Sequence, residues 1–209
     1  KQVMKRTIFA ILVIALSTIN WQNVRAQSTV TATLSSSSPL PQNVYDGTCC
    51  VLLHEFDITA VGGDVWLDSI GICWGGNSPT CLVHDLKIQT AGGTILNNYF
   101  QLNPGASVTP QMVDIGSNFV PDGVTLKLQI WGNFISGSIG LSNNLSLRRV
   151  WFEDNLGDYH NFGFFIYGPL FSVVAPLPIV TADFAASSLT VCDNGTLQFT
   201  DLSTGEPTS

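Results

Sequence analysis

Positive charge is scarce in this chain, which carries eight Lys and Arg against 15 Asp and Glu; all four types together make up only 11% of its 209 residues. Four of the eight cations lie in the first 26 residues, leaving Lys87, Lys127, Arg148 and Arg149 for the remainder. So few cations neutralise too few phosphates for a nucleic acid backbone, which argues against nucleic acid as a partner. Helical periodicity is absent after residue 26, so no helix is expected to cross over between parallel strands. Nucleophile and cofactor signatures are missing as well: there is no G-x-S-x-G, H-E-x-x-H, P-loop or dinucleotide fingerprint. A carboxylate pair brought together only by folding leaves no motif, but a glycosidase of that kind usually needs a larger scaffold. Residues 27–209 therefore read as non-catalytic, with no cofactor.

Long apolar runs are also few. The longest, Thr7 to Ile19, follows Lys5-Arg6 and precedes Val24-Arg25-Ala26. It is shorter than the roughly 20 residues that span a bilayer. A basic segment, a short apolar core and a small-residue site together describe a secretory signal peptide, with cleavage expected after Ala26. No Cys follows that site, so a lipoprotein anchor is not expected. Met4 reads as the start, with Lys1 to Val3 upstream of it. The mature chain is expected outside the cell, with no membrane span.

What is abundant is alternation. Thr29 to Leu34 is β-branched, and Ser35 to Pro41 follows as a stiff polar connector. From Cys50 to Ala60, Cys50, Leu52, Phe56, Ile58 and Ala60 share one parity while Glu55, Asp57 and Thr59 share the other, as in a half-buried strand. Val65 to Trp74 runs back after a Gly62-Gly63-Asp64 turn. Leu82, Leu86 and Ile88 alternate with polar residues, Ala91-Gly92-Gly93 turns into Thr94 to Leu96, and Pro121-Asp122-Gly123 feeds a strand with Val124, Leu126, Leu128 and Ile130 inward. With Leu145 to Phe152 and Phe162 to Val174, the count is about eight strands. The predicted fold is all-β, an antiparallel sandwich over residues 27–175, with a closed barrel as the alternative; its immunoglobulin-like character comes from the resemblances given below. Pro176 and Pro178 mark a linker over 176–180.

Candidate chemistry is thin. Cys73 and Cys81 bracket a turn-rich loop and are expected to form a disulfide, stabilising the fold by roughly 2.5 kcal/mol in the chain-entropy model. Cys49 and Cys50, adjacent on a strand, point to opposite faces and are not expected to bond to each other; Cys192 is left seeking a partner, expected downstream of Ser209. His54 and His84 share the parity of their apolar neighbours and read as satisfied interior imidazoles, while Glu55 and Asp57 face away from His54. Glu153, Asp154 and Asp158 form the densest acidic patch; its spacing departs from the calcium loop, so it reads as a solvated turn, with Ca²⁺ binding as the lesser alternative. Trp74, in its Gly-rich loop, is the candidate for stacking on a glycan. Asn144 and Asn194 match the glycosylation sequon, a three-residue pattern that also arises by chance.

Two resemblances add to this. Ala182-Asp183-Phe184, then Val191-Cys192-Asp193-Asn194-Gly195, Leu197-Gln198-Phe199-Thr200-Asp201 and Ser203-Thr204-Gly205 resemble the opening of a PKD (polycystic kidney disease repeat) domain. That likeness implies a second, incomplete β-sandwich over 181–209, whose W-x-F-G-D-G motif would lie beyond Ser209. "SSPLPQNVYDGT", "FDITA" and "DVWLDSI", within Ala32 to Ile72, and "VPDGVTLKLQI", Val120 to Ile130, look like a class of bacterial surface immunoglobulin-like modules. Cys49-Cys50 and the Cys73 to Cys81 loop depart from that pattern. Such modules recur beside adhesion repeats and appended to secreted glycosidases. The resemblance implies a structural or adhesive module of an exported bacterial surface protein that contacts extracellular protein or polysaccharide. The alternative it leaves open is a set of accessory modules of a secreted polysaccharide-degrading enzyme or protease whose catalytic domain lies beyond residue 209.

Overall fold

Alternating apolar residues with Gly-rich turns build strands that must share one dry face, and the chain solves this with two facing sheets. The computed structural model describes residues 27–176, 184–186 and 199–202. In chain order the strands are β1 (Thr29–Leu34), β2 (Gln42–Tyr45), β3 (Val51–Val61), β4 (Val65–Gly75), β5 (Val83–Thr90) and β6 (Ile95–Phe100). There follow β7 (Gln111–Val120), β8 (Thr125–Phe134), β9 (Ser142–Asp154), β10 (Tyr159–Tyr167) and β11 (Phe171–Val174). A short 3-10 turn, Pro104–Ser107, precedes β7.

One sheet has the order β1-β3-β8-β5-β6. The other runs β2-β11-β9-β4-β7, with β10 also paired to β9. The sequences 1-3-8-5 and 10-9-4 reproduce the ABED and GFC sheets of an immunoglobulin sandwich, and β6 and β7 extend its edges. The expected all-β sandwich is therefore the observed fold, with no closed barrel among the described residues. It is not wholly antiparallel, since β2 lies parallel to β11, Gln42 beside Phe171 through Tyr45 beside Val174. Nor are there about eight strands, because Phe162 to Val174 is broken at Gly168-Pro169, whose proline cannot donate to a ladder. Strands β2 and β7 were also not anticipated. Between the sheets lie Phe56, Ile58, Leu67, Ile70, Ile72, Leu128, Ile130, Leu147, Val150 and Phe152, all fully buried, and Phe134 meets Phe171 across the gap at 5.8 Å.

The expected signal peptide, linker residues 177–180 and Cys192 lie outside the described residues. Of segment 181–209, β12 (Phe184–Ala186) and β13 (Phe199–Asp201) are described and pair antiparallel. Among the described residues no helix is long and apolar enough to cross a membrane.

Several bulges break the alternation read from the sequence. In β3, Leu52 faces Trp131 and His54 faces Ile130, so Leu53 is an extra residue and points inward, 2% exposed. Upstream of that bulge the parity inverts, and Cys50, expected inside, is exposed. In β5, Asp85 and Leu86 together oppose Gly132 of β8, which turns His84 outward; it is not the interior imidazole expected. Gly132 makes both bulges possible: a Cβ there would sit 2.4 Å from Val83 Cγ1 and 3.0 Å from Leu53 Cδ1 and Leu86 Cδ2. Val124, expected inward, is also exposed.

Two buried polar residues tie the sheets to pH. Glu55 points to the outer face, as expected, yet the Ser35 to Ser38 connector covers it to 2% exposure. Gln129 Nε2 donates to it at 2.6 Å, Lys127 Nζ at 3.2 Å, and the Ser37 hydroxyl also donates. Burial alone would push the carboxyl up, but the hydrogen bonds from Ser37, Gln129, Ser35 and Lys127 outweigh it and hold the pKa at about 2. His54 is fully buried, but neither ring nitrogen has a hydrogen-bond partner, so the satisfied imidazole anticipated from its parity is not found. Burial lowers its pKa to about 4; the Ile166 carbonyl pulls weakly the other way without forming a bond of normal geometry.

Both folded-state values lie below their unfolded ones, so both contributions are present at neutral pH and fade on acidification. His54 stability is lost as pH falls from 6.5 towards about 4, and Glu55 stability as it falls from 4.5 through about 2, the latter on the order of 3 kcal/mol. Asp46 and Asp154, whose pKa values are also lowered, share the more acidic range. In urea titrations across pH, His54→Leu is expected to flatten the upper window and Glu55→Gln the lower one. Unchanged slopes in both variants would refute these assignments.

Candidate functional site

Three non-glycine residues adopt positive φ among the described residues: Cys50 at 57°, Asp85 at 49° and Tyr99 at 57°. That backbone is costly for residues with a Cβ and gathers at sites where side chains must be re-aimed. All three line one recess of about 210 Å³ on the outer face of the β1-β3-β8-β5-β6 sheet, together with Lys87, Asn98, Trp131 and Asn133. Each marks a local irregularity. Cys50 immediately precedes β3, Asp85 is the β5 bulge, and Asn98-Tyr99 are looped out between the pairs Leu86–Phe100 and Ile88–Asn97.

Hydrogen bonds hold the floor in place. The Cys50 amide donates to Asn133 Oδ1 at 2.9 Å, Asn133 Nδ2 to Asp85 Oδ2 at 3.3 Å, and His84 Nδ1 lies 2.7 Å from the same carboxylate oxygen. Trp131 Nε1 donates to Gln129 Oε1 at 3.1 Å, and Gln129 in turn donates to the buried Glu55. The Trp131 ring is thus oriented from below, with Lys87 Nζ 5.6 Å from its centre. Tyr99 stands 75% exposed on the edge strand, the most accessible aromatic of the recess. The Cys50 thiol is pushed up, first by its neighbour Cys49, which hydrogen-bonds to it. A nucleophilic cysteine requires the opposite shift. Aromatic faces beside amides and a carboxylate suit stacking and hydrogen bonding to a polar ring or peptide.

The residues singled out from sequence fall elsewhere. Trp74 is 5% exposed in β4 and donates through Nε1 to the Asn103 carbonyl at 3.3 Å; it belongs to the core and offers no stacking surface. Cys73 and Cys81 are not bonded to each other and carry free thiols. Cys73 lies on the outer side of β4 near Arg148, whereas Cys81 packs against the core and donates to the Val83 carbonyl at 3.4 Å. Sequence proximity across the loop did not translate into facing side chains. Glu153, Asp154 and Asp158 do not converge: no group of three acidic, His or Cys residues among the described residues is arranged to hold a metal. Asp154 is 1% exposed and accepts hydrogen bonds from the Leu156 and Asp158 amides and lies 2.9 Å from His160 Nε2, organising the β9-β10 turn. Burial opposes its ionisation, but these hydrogen bonds prevail and lower its pKa. Nothing in the periodicity announced Trp131, Asp85 or Tyr99 as neighbours; the one available signal was that Trp131 falls on the parity opposite Leu128 and Ile130.

No family model matches the chain, and no curated protein matches it.

Two measurements check this arrangement. Alkylation of the native protein followed by peptide mapping is expected to label Cys49 and Cys50 and to spare Cys73 and Cys81 until denaturant is added; a linked Cys73–Cys81 peptide would contradict it. Trp74→Ala is expected to cost about 3–5 kcal/mol in urea unfolding, as for a buried aromatic, and near-wild-type stability would contradict its core position.

Proposed function

We propose that this chain is a non-catalytic contact module of an exported, multidomain bacterial surface protein, and that it engages extracellular protein or glycan through the Trp131–Tyr99 recess. The observation that carries this reading is the concentration of all three strained, non-glycine residues at one aromatic recess on a rigid sheet. Strain of roughly 1–3 kcal/mol per residue persists where surrounding structure enforces it, and it marks positions where side-chain placement matters. The leader-like N-terminus supports export. The likeness of 181–209 to the start of a PKD repeat supports a modular parent with an incomplete second sandwich. Lowered carboxylate pKa values at Glu55 and Asp154 accord with structural roles, since a general acid needs its pKa raised towards neutrality.

Screening the chain against immobilised neutral glycans and extracellular matrix proteins tests the reading. Tyr99→Ala, at an exposed position, is expected to weaken the interaction about tenfold without changing the melting temperature. Equal binding by Tyr99→Ala would remove the recess as the contact site, and turnover of a bound glycan would overturn the non-catalytic assignment.

A further inference from the structure

The opposite sheet carries a second feature, independent of the first recess. Strand β9 buries Leu147 and Val150 completely, and strict alternation would send one of the two residues between them inward. Neither goes. On the β4 side Gly71 faces Arg149 and Ile72 faces Leu147, while on the β10 side Gly163 faces Arg149 and Ile166 faces Leu147. Arg148 is therefore an extra residue in β9, matched by Phe164-Phe165 in β10, and the bulge sends Arg148 and Arg149 to the same outer face. Gly71 accommodates them, because a Cβ there would lie 2.9 Å from Arg149 Cβ and 3.2 Å from Pro110 Cβ.

These arginines line a recess of about 290 Å³ with Cys73, Pro110, Phe164 and Phe165. Arg148 is fixed between two rings, 4.8 Å from the centre of Phe165 and 4.7 Å from that of Tyr167, and donates to Ser146 Oγ and the Tyr167 hydroxyl. Neither arginine forms an ion pair among the described residues, in a chain with 15 carboxylates to choose from. Two guanidinium groups without counter-charge, on a face where Phe165 is 77% exposed, Tyr167 57% and Tyr159 65%, present cation and ring surface together. Guanidinium recognises carboxylate and sulfate through paired N–H donors, and aromatic faces pack against the C–H face of a sugar.

We infer that the Arg148–Arg149 recess binds an anionic polysaccharide, with a ring-borne carboxylate or sulfate on the arginines and the chain lying along the exposed aromatics of β10. A polysaccharide fits better than an acidic peptide because Phe165 and Tyr167 extend exposed ring surface along β10 beside the cations, matching a ligand with repeating apolar faces, while Tyr159 at the far end of β10 lies against Glu153.

The test uses the full chain with polygalacturonate, dextran sulfate, neutral dextran and poly-glutamate as probes, followed by calorimetry or biolayer interferometry. Expected are binding to polygalacturonate or dextran sulfate, the stronger of the two identifying the anion, and at least tenfold weaker binding to dextran and poly-glutamate. Raising salt from about 50 to 500 mM should weaken binding at least tenfold, and so should Arg149→Gln, an exposed position chosen to spare the fold. Tyr99→Ala, on the opposite sheet, should leave this binding unchanged. No binding to either anionic polymer, salt-independent binding of the wild-type chain, or poly-glutamate bound as tightly as the sugars would each overturn the inference. The last result would assign the site to an acidic protein instead.

Discussion

A strand can show only one face to a dry interior, and each interruption of that rule must place an extra residue somewhere. In this sandwich two such interruptions, beside Gly132 and around Arg148, shape the outer recesses, and a third falls at Asp68 of β4. At Gly132, the missing side chain leaves room for Leu53 and Leu86 from two neighbouring bulges. Glycine in a strand costs about 0.5–1 kcal/mol, whereas each buried leucine contributes roughly 1.5–3 kcal/mol, so the exchange favours the bulged arrangement. Its outward consequence is the re-aiming of Asp85 and the exposure of Cys50 beside Trp131. The outer recess is thus a by-product of how the core closes on one glycine.

The fold class was legible because period-two alternation is local. Phe56, Ile58 and Ala60, or Leu128 and Ile130, need no distant partner to declare their inward face, and all five are fully buried. What failed was phase. One extra residue at Leu53 inverts everything before it, and the sequence around Leu52-Leu53 is apolar on both parities, so no residue type flags the slip. Strand β7 escaped notice for a related reason: Gly116-Ser117-Asn118 breaks the alternation in the middle of the strand, at an irregularity of the pairing with Gly116 at φ 70°.

The sites were less legible still, because they join residues from strands far apart in the chain. Trp131, Asp85 and Tyr99 meet only because β8, β5 and β6 lie side by side, and pairing order leaves no mark in a single sequence. Trp74 and the Cys73–Cys81 loop misled because Gly and Pro neighbours resemble an exposed turn, yet β4 extends to Gly75 and carries the indole into the core. Arg148-Arg149 was visible as a pair of scarce cations. That both would face outward required the β9 bulge, which opposite-strand partners define.

The parallel pairing of β2 with β11 gives the sandwich a directional response to force. Because the two strands point the same way, the chain enters the pair at Gln42 and leaves it from the far end, at Val174. Tension transmitted through these two strands drags them past each other lengthwise, so their hydrogen bonds are strained together and do not open singly like a zip. Pulled from Gln42 and Val174, the seam between β2 and β11 would therefore resist as one unit.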